Sequence, residues 1–66
     1  MKLTVNDKET ETTAAATILD LLQEHKLERD RVVVELNGQI VRREVWGDTL
    51  LHEKDSILLL SFVGGG

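Results

Sequence analysis

Three glycines in succession, Gly64, Gly65 and Gly66, follow an apolar run from Ile57 to Val63 that only Ser61 interrupts. Glycine makes up roughly 7% of an average composition, so three together at one chosen position would arise by chance about three or four times in ten thousand. Without a Cβ, such a strip can lie extended in a cleft too narrow for side chains and can take φ of either sign. Three extended residues reach about 10 Å. These residues suit delivery of the Gly66 carboxylate into an active site buried in another protein, with Gly64 and Gly65 giving access. A free carboxylate is a poor acyl donor, but once its oxygen attacks a nucleotide phosphate the resulting acyl adenylate can be taken by sulfur or by an amine. The bland alternative is a solvated, disordered end or a cloning scar. Against it, no serine linker or His-tag accompanies the glycines, and they continue a strand-like run.

A tail of this kind needs a body that holds its last strand. Met1, Leu3 and Val5 alternate with polar residues, Asn6-Asp7 supplies a turn, and Lys8 to Thr12 completes a first hairpin. Thr17 is placed to cap a helix, its hydroxyl accepting near Asp20 while the Asp20 carboxylate answers back. Ile18, Leu21 and Leu22 share one face, Asp20 and Glu24 the other, and His25 with Lys26 suits the C-terminal end of about two to three turns. Val32 to Leu36, the Asn37-Gly38 type I′ signal and Gln39 to Val41 form a second hairpin. Arg42 to Lys54 has no clean period and reads as a loop with a short helical turn near Val45 to Gly47. Ile57 to Val63 is the last strand. The order predicts a single α+β domain over residues 1–66, with a mixed sheet, one helix across one face and a flexible glycine tail.

One helix covers one face, yet the last strand is apolar in both phases. Ser61 falls in phase with Ile57 and Leu59 where the strand leaves the core, so that phase is assigned inward, and Leu58, Leu60 and Phe62 outward. On the neighbouring strand, Val32, Val34 and Leu36 are expected inward, Val33 and Glu35 outward. The uncovered apolar patch of Leu58, Leu60 and Phe62 is then a candidate docking surface beside the tail. The competing expectation is that the loop Arg42 to Lys54 folds over it.

Composition removes other classes of function. At 66 residues with a formal net charge of −4, the chain buries only about 60% of the surface its unfolded form exposes, too little for a deep catalytic cavity. The acidic balance argues against nucleic acid and favours a partner with a basic docking face. Without cysteine, disulfides and thiolate metal sites are excluded, and no internal thiol can intercept an activated C-terminus. No apolar stretch is long enough to span a bilayer and no signal pattern opens the chain, which makes the cytoplasm the expected location.

Three segments carry a resemblance that runs over the whole chain: Asn37-Gly38-Gln39-Ile40-Val41 followed by Arg43 and Trp46, Asp55-Ser56-Ile57 at the approach to the last strand, and Phe62-Val63-Gly64-Gly65-Gly66. In order and spacing they resemble the ThiS family of sulfur carriers, ubiquitin-like β-grasp proteins of thiamine biosynthesis. The departures, Arg42 where the family often has proline and Lys54 where it often has glycine, fall in surface turns. The resemblance implies a β-grasp fold of about five strands and a carrier cycle in which the chain is a co-substrate rather than an enzyme. A ThiF-like adenylyltransferase would use MgATP to adenylate Gly66, and a persulfide from a cysteine desulfurase or sulfurtransferase would convert it to a thiocarboxylate. A ThiG-like thiazole synthase would then receive the sulfur. The chain itself would bind no cofactor.

The remaining chemistry-bearing residues have plainer explanations. His25 and His52 lack a third ligand nearby, Trp46 fits the core rim better than a partner anchor, and Arg42-Arg43 read as solvated charge. Glu9, Glu11, Glu24, Glu28 and Asp30 are too dispersed for an acid/base pair. Rival functions stay open on the residues alone: sulfur carriage for molybdopterin or tRNA thiolation, a protein modifier joined to lysine amines, or an interaction domain with an inert tail.

Overall fold

The computed structural model describes residues 1–13 and 15–62; the glycine tail and the expected run of the last strand to Val63 lie outside the described residues. Among the described residues there are five strands, β1 (Lys2–Val5), β2 (Lys8–Glu11), β3 (Val32–Leu36), β4 (Gln39–Val41) and β5 (Ser56–Ser61), with the helix α1 (Ile18–Glu24) between the two hairpins. The sheet order is β2-β1-β5-β3-β4. β5 pairs parallel with β1 and antiparallel with β3, which makes the sheet mixed and puts β5 at its centre. This is the ubiquitin-like β-grasp arrangement.

Both hairpins close through paired left-handed residues, Asn6 and Asp7 (φ 52° and 67°) and Asn37 and Gly38 (φ 52° and 88°), as two-residue turns matched to strand twist require. The two asparagines do more than turn the chain. Asn6 Oδ1 accepts from the Leu59 N–H at 2.8 Å. Asn37 Oδ1 accepts from the Ser56 N–H at 2.9 Å, and its amide donates to Asp55 at 3.1 Å. Each clamps β5 from one flank.

The helix begins as its sequence predicts. The Asp20 N–H donates to Thr17 Oγ1 at 3.2 Å, and Asp20 Oδ2 accepts from the N–H groups of Ala16 and Thr17, both at 3.1 Å. These bonds, first that from Ala16 and then that from Thr17, hold the Asp20 carboxyl below its usual value of 3.8. The helix stops after two turns, and no basic residue occupies its last turn: His25 is the cap and Lys26 lies beyond it. Lys26 takes φ 57°, its N–H donating to the Gln23 carbonyl and the Leu27 N–H to that of Leu22. Such a closure favours glycine at the position Lys26 fills.

Ile18, Leu21 and Leu22 are buried against Leu3, Val5, Val32, Val34, Ile57 and Leu59 on one face of the sheet. The segment after β4 joins this same layer. It forms a 3-10 helix over Arg43–Asp48, longer than the turn expected near Val45 to Gly47, and a second 3-10 turn, Arg29–Arg31, precedes β3 where no element was expected. Trp46 is buried within the core, its Nε1 donating to the Val41 carbonyl at 2.9 Å. Leu51 is buried beside it, and the backbone bonds Ile18 N–H to Thr49 O and Leu51 N–H to Ala16 O tie the loop to the helix start. Thr12, buried despite its hydroxyl, donates to Glu24 at 2.8 Å and accepts from the Ala15 N–H.

Two outcomes test the helix ends. Lys26→Gly, which relieves a left-handed side chain, is expected to raise stability by about 0.5–1 kcal/mol in urea unfolding. For Asp20, a lowered folded pKa means its stabilisation is complete above the unfolded value of 3.8 and is lost as pH falls through the folded value. Asp20→Asn should therefore be less stable than the parent at about pH 7, with the gap closing as pH falls below 3.8.

Candidate docking and acyl-transfer site

β5 alternates between two environments along its length. Ile57 and Leu59 are buried in the core, whereas Leu58 is half-buried and Leu60 and Phe62 are 50% and 58% exposed. The phase assigned from Ser61 is the observed one. The register places Leu60 opposite Val33 and Leu58 opposite Glu35, both on the face away from the helix. Val32 and Val34 point inward as expected.

The competing expectation for this face fails. The Arg42 to Lys54 segment packs on the helix side, because Trp46 and Leu51 can be buried only where α1 and the sheet enclose them. The outer face of Leu58, Leu60 and Phe62 therefore keeps no cover among the described residues. It also gains a member that the sequence reading missed. Ile40 of β4, 70% exposed, pairs with Glu35 of β3 and so shares this face. A two-residue turn at Asn37-Gly38 makes that register unavoidable, so the signal was in the sequence.

At the far end of β5, the Phe62 N–H donates to the Arg31 carbonyl at 2.7 Å. Phe62 is thus held by the sheet, and everything beyond it is the glycine-rich end. Four residues separate Phe62 from the carboxylate of Gly66, and at full extension they span at most about 14 Å. Gly64, Gly65 and Gly66 lie outside the described residues, so the reach follows from chain length alone.

The family model for the ThiS family matches residues 1–66. The chain belongs to the ThiS family. Among curated relatives, the sulfur carrier protein ThiS of Bacillus subtilis (strain 168) is 42% identical over 50 residues, 76% of each chain. A crystal structure of the thiamine biosynthesis protein ThiS from Geobacter metallireducens superposes with a TM-score of 0.84 at 36% identity, covering both chains fully. The chain is also 32% identical, over its whole length, to a thiazole synthase of Paramagnetospirillum magneticum (strain ATCC 700264 / AMB-1), of which it spans 20%. Within this family the structure places Trp46 and the hairpin of Asn37-Gly38 in scaffold roles, the one in the core and the other clamping β5.

The two phases of β5 should respond oppositely to a charge. Leu60→Asp is expected to keep the circular dichroism spectrum, with stability changed by no more than about 1 kcal/mol. Leu59→Asp, which buries an unpaired carboxylate, should unfold the domain.

Proposed function

We propose that this chain is a sulfur carrier for thiazole formation in thiamine biosynthesis, acting as a single domain over residues 1–66 with Gly66 as the carrying residue. The observation that carries the reading is β5 itself: one phase is locked in the core, the other is uncovered among the described residues, and Phe62, just past the strand's end, lies four residues from the glycine terminus. ThiS family membership and the match to a thiazole synthase supply the pathway, and favour it over molybdopterin or tRNA thiolation.

In this cycle a ThiF-like adenylyltransferase docks on Leu58, Leu60 and Phe62 and threads Gly64 and Gly65 through a narrow channel. The Gly66 carboxylate oxygen attacks the α-phosphate of MgATP and releases pyrophosphate. The terminal sulfur of a persulfide, carried by a cysteine desulfurase or sulfurtransferase, attacks the acyl carbon and expels AMP, giving an acyl disulfide. A second thiol then attacks the donor-side sulfur, the S–S bond breaks with its electron pair on the acyl-bound sulfur, and Gly66 is left as a thiocarboxylate. Sulfur is softer and more nucleophilic than carboxylate oxygen, and holding it on a protein avoids free sulfide. A ThiG-like thiazole synthase takes the sulfur and returns the carboxylate. The chain contributes recognition and a carboxylate; with no cysteine it cannot itself supply the thiol steps, and it is a co-substrate rather than a catalyst. On this reading it works in the cytoplasm beside the nucleotide-using partner.

The test is the mass of the C-terminal peptide after incubation with ATP, cysteine, the adenylyltransferase and the desulfurase. Replacement of one oxygen by sulfur on Gly66 is expected, and deletion of Gly65 and Gly66 should abolish it. Persistence of the original mass, with enzymes active on a known carrier, overturns the reading. Conjugates of higher mass at lysine amines would instead establish the modifier. Leu60→Asp is expected to raise KM for the carrier by at least about tenfold while the maximal rate is kept.

A further inference from the structure

The four arginines of the chain, Arg29, Arg31, Arg42 and Arg43, are separated in sequence but occupy one end of the folded sheet. Arg29 and Arg31 lie in the turn before β3, whose first residue, Val32, pairs with Ser61 at the end of β5. Arg42 and Arg43 follow β4, whose last residue, Val41, pairs with Val34. The arginine end is thus the end at which β5 finishes, and the Arg31 carbonyl directly holds Phe62.

Three acids at this end offset the arginines only in part. Arg43 Nη1 meets Asp30 Oδ1 at 2.6 Å, while Arg31–Glu28 and Arg42–Glu44 are looser pairs at 3.5 Å. Arg29 has no ion-pair partner among the described residues. All four side chains are exposed, so these pairs contribute little to folding and exchange readily for others. Elsewhere nine acids outnumber four lysines, so the arginine end, with four cations to three acids among the described residues, is far less acidic than the rest of the molecule. A shallow groove at this end is lined by Arg29, Arg42 and Arg43 together with Val33, Ile40 and Phe62.

We infer that the arginine end of the sheet is a docking site for an acidic rim on the protein that receives the tail, with the rim carboxylates bordering an apolar recess that takes Phe62 and Ile40. The net charge of −4 taken alone points to a basic partner; the local arrangement assigns the opposite sign where contact with the tail is made. Polarity of this kind orients the carrier tail-first during encounter and rejects wrong orientations. Guanidinium groups suit the role because they match carboxylates bidentately and shed water more easily than ammonium groups. The inference rests on the carrier reading for the identity of the receiving protein, the adenylyltransferase.

The experiment uses the full chain and its adenylyltransferase, measuring binding without nucleotide and, separately, KM and kcat for pyrophosphate release. Arg29→Glu with Arg42→Glu should weaken binding and raise KM by at least about tenfold, leaving kcat within about twofold. The comparison variant, Lys8→Glu with Lys26→Glu, makes the same charge change away from this end and should alter KM by less than about twofold. Arg29→Gln with Arg42→Gln, which adds no repulsion, should fall between them, and added salt should weaken the parent more than the arginine variants. Equal effects of the arginine and lysine pairs, or no effect of either, overturn the inference. Binding that depends on the arginines without pyrophosphate release would leave the docking site standing and remove the acyl-transfer reading; absence of both binding and turnover in the parent removes both.

Discussion

A sheet with one helix can be dry on one face only, and β5 is where that constraint bites. It lies at the centre of the order β2-β1-β5-β3-β4 and is apolar in both phases, so no choice of phase could hide all of its side chains. Burying Ile57 and Leu59 stabilises the domain by roughly 1.5–3 kcal/mol each, and leaving Leu60 and Phe62 in water forgoes a comparable amount. That forgone stabilisation is available to a partner. Loop packing decides that it stays available, since Trp46 and Leu51 take their segment to the helix side.

The strand that presents the tail is held from several directions. β1 and β3 flank it, Asn6 caps its Leu59 N–H where β1 has ended, Asn37 fixes its Ser56 end, and the Arg31 carbonyl fixes Phe62. A terminus that must reach into another protein works best if its point of departure does not move, because each residue of slack widens the volume the carboxylate samples. In a chain of 66 residues, with a small core, side-chain and backbone hydrogen bonds to β5 provide that fixed point. The capping box and the closure at Lys26 serve the same end indirectly by keeping a two-turn helix in place on the inner face.

Charge shows why a sum over the chain is a poor guide to a surface. The acidic total and the arginine end coexist because Arg29–Arg31 and Arg42–Arg43, eleven or more residues apart in sequence, are brought together by the β3–β4 hairpin. Recognition depends on the field within about a Debye length, roughly 8 Å at physiological salt, and not on the total.

Local patterns determined much of this protein from the sequence alone. The turn residues set both hairpins, Thr17 and Asp20 set the helix start, and alternation and Ser61 set the phase of β5; each depends on neighbours a few residues away. The route of residues 42–54, the asparagine clamps on β5 and the gathering of the arginines were decided only by the tertiary structure. They arise from contacts between segments far apart in sequence, and which segments meet is settled by competition for the single dry face of the sheet, a quantity that no local window contains.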